Sequence, residues 1–109
     1  MKYRKIPQIP YKYANVYNYG MSENSVSIIS VLTIYDNPAL IVQNDGQILI
    51  YNIGRAEASR TIVQDFIRNL NAKYHTNVTL LKIRRAYKEN ASLYVPELDF
   101  ITEREVNGT

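Results

Sequence analysis

The chain has no cysteine, so it can form neither disulfides nor thiolate metal sites. This fits a reducing compartment, and an intracellular location is expected. Histidine is represented once, by His75, in a polar stretch before Asn77. That excludes paired-histidine metal motifs and leaves Ser59 without a histidine close in sequence to activate it. Capping of a helix explains Ser59 without chemistry. There is no Gly-rich phosphate loop. Long hydrophobic runs are also missing. The apolar stretches are broken by Ser27, Ser30, Thr33, Asp36 and Asn44, so no segment is long enough to span a membrane as a helix. The basic N-terminus is interrupted by Pro7 and Pro10, and no apolar segment of the secretory type follows. Asn77, Asn90 and Asn107 stand in N-x-S/T triplets, which without a secretion signal are read as chance matches.

What is there is a chain of 109 residues, 46% hydrophobic and 21% charged, the balance of one globular domain rather than a disordered segment. Its aromatics are ten tyrosines and two phenylalanines, with no tryptophan. Charge is distributed in blocks. Residues 1–20 carry +4, residues 21–54 carry −3, residues 55–88 carry +6 and residues 89–109 carry −4. Such blocks either pair with each other or leave a basic surface for an anionic partner.

Residues 1–20 read as a basic arm rich in Tyr and Pro, with extended or polyproline-like character around Pro7 and Pro10. Tyr11, Tyr13, Tyr17 and Tyr19 share one parity, as on one face of a strand. Residues 21–102 read as a single α+β domain, and the tail from Glu103 as polar and frayed. The β-branched density of residues 25–53 predicts three strands, near 25–35, 39–43 and 47–53. Turns are expected at Asp36-Asn37-Pro38 and at Asn44-Asp45-Gly46. A helix over 22–35, capped by Ser22, is the competing reading of the first strand. Ile62, Val63, Phe66, Ile67 and Leu70 have helical spacing, which predicts an amphipathic helix over 59–73 with Ser59 as N-cap. Residues 78–87 and 93–102 are expected to form a closing hairpin, with Lys82 and Arg84 on one face of its first strand. Pro96 cannot donate to a ladder, which makes the last strand an edge or a bulged strand. The predicted fold is therefore α+β, an antiparallel sheet of five or six strands with one main helix.

No catalytic constellation, metal set or cofactor motif emerges. Pro96-Glu97-Leu98-Asp99 is faintly similar to the acidic motif of some metal-dependent nucleases, but no Glu-x-Lys follows to organise an attacking water. Pairing of Glu97 and Asp99 with Lys82 and Arg84 across the hairpin explains them more simply. A nuclease therefore stands as the last of three readings.

Binding is the first. Lys2, Arg4, Lys5 and Lys12 are interleaved with Tyr3, Tyr11 and Tyr13. Cations attract phosphates irrespective of sequence, and tyrosine faces stack on bases. Arg55 and Arg60 flank the start of the helix, whose free N–H groups favour an anion. Lys82, Arg84, Arg85 and Lys88 extend the positive region. These ten residues are the expected nucleic-acid contacts, with DNA or RNA as partner and residues 2–12 as a flexible clamp. A protein-interaction module, such as an inhibitor of a host factor, is the second reading, because tyrosine-rich surfaces suit interfaces. A homodimer through an edge strand is also expected.

Two families resemble parts of the chain. The run Ile50-Tyr51-Asn52-Ile53-Gly54-Arg55-Ala56-Glu57-Ala58-Ser59, with the later Leu81-Lys82-Ile83-Arg84, resembles the second half of Alba domains, dimeric DNA- and RNA-binding proteins. The resemblance implies that Arg55 contacts phosphate and that Arg84, Arg85 and Lys88 belong to a basic β-hairpin arm. The first half departs from it, since Gly20-Met21-Ser22-Glu23 stands where Alba proteins carry a lysine-rich loop. Tyr35-Asp36-Asn37-Pro38-Ala39, a short hairpin and the opening Ser59-Arg60-Thr61 are similar to small phage proteins of uncharacterised role. That implies a viral accessory protein, in the host cytoplasm, with no activity attached.

Overall fold

The computed structural model describes residues 3–6, 13–20, 22, 24–53 and 57–101. Its strands are β1 (Tyr3–Ile6), β2 (Ala14–Tyr19), β3 (Ile28–Ile34), β4 (Asn37–Gln43), β5 (Asp45–Ile50) and β6 (Leu93–Asp99). They form one six-stranded sheet in sequence order, and every neighbouring pair is antiparallel. Helices α1 (Glu57–Tyr74) and α2 (Leu80–Lys88) fill the connection between β5 and β6. The α+β class and the strand number agree with the sequence pattern. The N-terminal strands do not form a free arm: Tyr3 pairs with Tyr19, and Ala14 with Ile34, in the sheet.

Period-two alternation gives the sheet two distinct faces. Val16, Leu32, Leu40 and Ile50 lie in one cross-strand row, and Ser30, Val42 and Ile48 in the next. This is the face that α1 covers, with Ile62, Val63, Phe66, Ile67 and Leu70 in the same core. Each large side chain so buried contributes about 1.5–3 kcal/mol. The alternative helix over 22–35 is not formed, because β-branched residues stiff at χ1 suit the pleated surface better.

The turn after β3 comes one residue earlier than expected. Ile34 pairs with Asn37, and Tyr35 and Asp36 have φ of 52° and 64°, the left-handed pair of a type I′ hairpin. A tyrosine is unusual there. It is held by its ring, stacked on Tyr13 at 4.8 Å, and by its N–H, which donates to the Tyr13 carbonyl at 2.7 Å. Pro38 falls next to a register shift in the β3–β4 ladder, where a missing donor costs least.

The expected turn at Asn44-Asp45-Gly46 links β4 to β5. Gly46 has φ of +87°, and a Cβ there would lie 2.8 Å from the Val95 carbonyl oxygen. Only glycine lets β6 approach so closely. Between its pairings with Gln47 and Asp45, β6 carries Val95 to Leu98 as a bulge, so the strand containing Pro96 is both an edge and irregular.

The largest correction concerns residues 78–87. They form no strand; Leu80–Lys88 is helix α2, and Lys88 to Ser92 is not a hairpin loop. Ile83 and Ala86 are buried one turn apart, with Leu80 partly buried beside them. The alternation of Leu81-Lys82-Ile83-Arg84 misled because two turns of such a helix also satisfy a short period-two pattern. Leu, Lys, Arg and Ala are strong helix formers, and here the core selects the helical face. Ser59 is also not the N-cap of α1, which begins at Glu57.

Candidate nucleic-acid interface

Helix α2 starts where Thr79, in extended conformation, accepts the Lys82 N–H on its hydroxyl at 3.2 Å. It ends in a Schellman motif: the Ala91 N–H donates to the Ala86 carbonyl at 3.0 Å and the Asn90 N–H to the Tyr87 carbonyl at 3.1 Å. Asn90 takes the left-handed position, with φ of 53°. With Ile83 and Ala86 turned inward, Leu81, Lys82, Arg84, Arg85, Tyr87 and Lys88 are exposed.

Leu81, Arg84, Arg85 and Lys88 stand at i, i+3, i+4 and i+7, one stripe of the helix. They line a shallow depression of about 350 Å³. Leu81 is 65% exposed, an apolar residue framed by cations. Tyr87 follows Arg84 by one turn, and lines a second cleft of about 260 Å³ with Tyr51 at the end of β5. Tyr51 and Tyr87 are 46% and 40% exposed, so each offers part of a ring to solvent. Cations and Tyr87 therefore occupy adjoining sides of one short helix, and Tyr51 shares the cleft beside Tyr87.

Helix electrostatics explain part of this charge. Arg85 and Lys88 lie in the last turn, where cations oppose the partial negative charge of the helix end. Lys82 lies in the first turn, which has no acid, and Arg84 follows it; there the macrodipole gives a cation no advantage. Pairing between charge blocks does not explain it either. Among the described residues the one ion pair is Arg68–Asp65, at 3.3 Å within α1.

The expected pairing of Lys82 and Arg84 with Glu97 and Asp99 across a hairpin is not formed, since the cations are on α2. Lys82 shares a cleft of about 150 Å³ with Glu97. Asp99 is opposite Asp45 in the ladder and accepts the Tyr94 hydroxyl at 2.6 Å. That hydrogen bond raises the Tyr94 pKa; partial desolvation and the charges of Asp99 and Asp45 add to the effect. Among the described residues no group of three or more His, Asp or Glu side chains could hold a metal ion.

Of the other expected contacts, Arg60 is exposed on α1. Arg4 and Lys5 lie on β1, in register with Asn18 and Tyr17, so they belong to a sheet strand rather than a free clamp. Lys2, Lys12 and Arg55 lie outside the described residues. The structure brings Lys82, Arg84, Arg85 and Lys88 together on α2, not on the β-hairpin arm that the Alba resemblance implies. Leu81, Tyr87 and Tyr51 join them unforeseen. The signal for them was Thr79 followed by Leu80, Ile83 and Ala86 at three-residue spacing.

Among the described residues no helix is long and apolar enough to cross a membrane. No family model, no curated protein and no solved structure matches the chain.

Proposed function

We propose that this protein binds single-stranded nucleic acid along α2, with Arg84, Arg85 and Lys88 on the phosphates and Tyr87 and Tyr51 stacking against bases. The observation that carries this reading is the exposed cationic stripe beside two accessible tyrosine rings, with its cations outside any ion pair among the described residues. Phosphate attraction supplies affinity without sequence preference, and an unstacked base presents a face to an aromatic ring that a duplex keeps covered. Lys82 contributes from the flank of the helix.

Fluorescence anisotropy with labelled single- and double-stranded DNA and RNA, at low and physiological salt, tests this. Single strands should bind more tightly than duplexes, and affinity should fall steeply with salt. A triple variant, R84Q/R85Q/K88Q, should lose at least about tenfold in affinity with its folding unchanged. Absence of binding at low salt would sink the proposal.

A second reading, contact with another protein, is favoured by the sheet face opposite the helices. There Tyr17, Val31, Ile41 and Leu49 form a continuous cross-strand row. Asn15 and Thr33 flank the row, and Lys5 of β1, in register with Tyr17, stands at its end. Pro96 and the bulge hinder strand addition to β6, while β1 forms the other edge of the sheet. Light scattering of the purified protein would show a mass above the monomer if a second copy covers this face.

A further inference from the structure

A cavity of about 550 Å³ lies between the C-terminal half of α1 and the strands β2 and β3. Its size is within the range of sites for small ligands, about 300–1,000 Å³. Phe66 and Leu70 of α1 provide an apolar wall, while Asn18, Ser30 and Asn69 bring polar side chains to it. Asn18 and Ser30 are direct partners in the β2–β3 ladder, so their side chains leave the sheet on the same face, the one beneath α1.

Ser30 is the telling residue. It is 4% exposed and stands in a cross-strand row with Val42 and Ile48. Its hydroxyl makes no hydrogen bond to a described residue. Among the described residues, however, no polar side-chain atom is both fully enclosed and unpartnered, so the hydroxyl opens on the cavity. Set at the wall of the cavity, the hydroxyl can donate to and accept from a molecule held there.

The geometry points to a neutral, planar heterocycle of the nucleobase or nucleoside kind as the ligand. A flat ring suits the apolar wall. Asn18, Asn69 and Ser30 each both donate and accept, which matches an edge carrying amide-like donors and acceptors. Among the described residues Lys73 is the one ionised side chain in the lining. It stands in the last turn of α1, where the partial negative charge of the helix end offsets it, and its Nζ lies 5.3 Å from the Tyr74 ring centroid. The balance favours a neutral molecule over an anion. This site shares no residue with the α2 surface and does not rest on the function proposed for it.

The test is titration of isotope-labelled protein with adenosine, guanosine, cytidine and uridine, each beside its 5′-monophosphate, followed by amide chemical shifts. At least one nucleoside should move the signals of Asn18, Ser30, Phe66 and Asn69. Ser30→Val should weaken that binding about five- to tenfold, the loss of one hydrogen bond, with no loss of melting temperature. If Ser30→Val does not fold, Asn69→Ala at the exposed rim should weaken it similarly. Shifts confined to α2, no shift with any nucleoside at millimolar concentration, or binding unaffected by the variant that folds would overturn the site. A monophosphate binding tenfold more tightly than its nucleoside would overturn the neutral ligand class.

Discussion

Asn44 and Ser27 hold each other twice. The Ser27 N–H donates to Asn44 Oδ1 at 2.8 Å, and the Asn44 N–H donates to the Ser27 carbonyl at 3.0 Å. Asn44 is completely buried, and its Nδ2 donates to the carbonyls of Ser22 and Ser25 at 3.1 and 3.0 Å. Its own carbonyl accepts the Phe100 N–H at 2.8 Å. One side chain thus does for the irregular segment before β3 what a neighbouring strand would do.

Asn44→Ala should therefore destabilise the fold by about 2–3 kcal/mol, because it leaves a buried backbone donor and two carbonyls without partners. Urea unfolding, read as a shift of the midpoint at constant slope, checks this.

Gly46→Ala should cost about 2–4 kcal/mol, from a left-handed φ combined with approaches of 2.8 Å to Tyr94 and Val95. The effect should appear in the melting temperature. A neutral result would mean that β6 does not cross so close to the turn.

Two helix ends use non-glycine residues in the left-handed region, His75 after α1 with φ of 57° and Asn90 after α2 with φ of 53°. His75→Gly should stabilise by about 0.5–1 kcal/mol, the relief of strain exceeding the added chain entropy. Asn90→Gly should gain less, since asparagine tolerates this conformation. Comparison of the two by denaturant titration tests the order.

Tyr94 has its pKa raised, first by its hydrogen bond to Asp99, which requires the neutral phenol. The folded protein thus favours the protonated form. Its contribution to stability is complete below the ordinary tyrosine pKa of about 10 and is lost as pH rises through the higher folded value. The stability difference between the wild type and Tyr94→Phe should therefore be constant from pH 7 to 9 and shrink above pH 10. A difference that grows at high pH would contradict the assignment.

On the proposed nucleic-acid surface, replacing Arg84, Arg85 or Lys88 singly by Gln should flatten the slope of log affinity against log salt. The change should be about 0.7 for each phosphate of a single strand that the variant no longer neutralises. Tyr87→Phe should leave the slope unchanged, and Tyr87→Ala should weaken binding by about 1–3 kcal/mol at every salt concentration. The salt dependence separates charge from stacking.

The α+β class, the central strands, the Asp45-Gly46 turn and the long helix were legible in the sequence. Each rests on local physics: β-branched density, a glycine free to take positive φ, and apolar residues at helical spacing. Residues 80–88 were not legible, because the alternation of Leu81, Lys82, Ile83 and Arg84 satisfies two periods at once. Packing of Ile83 and Ala86 against the core made that segment a helix. With it, the tertiary structure gathered Arg84, Arg85, Lys88, Tyr87 and Tyr51 into one surface. The same is true of Ser30, which in the sequence only interrupts an apolar run. Its place under α1, opposite Asn18, depends on the register of β2 and β3, and register follows from which face of the sheet is buried.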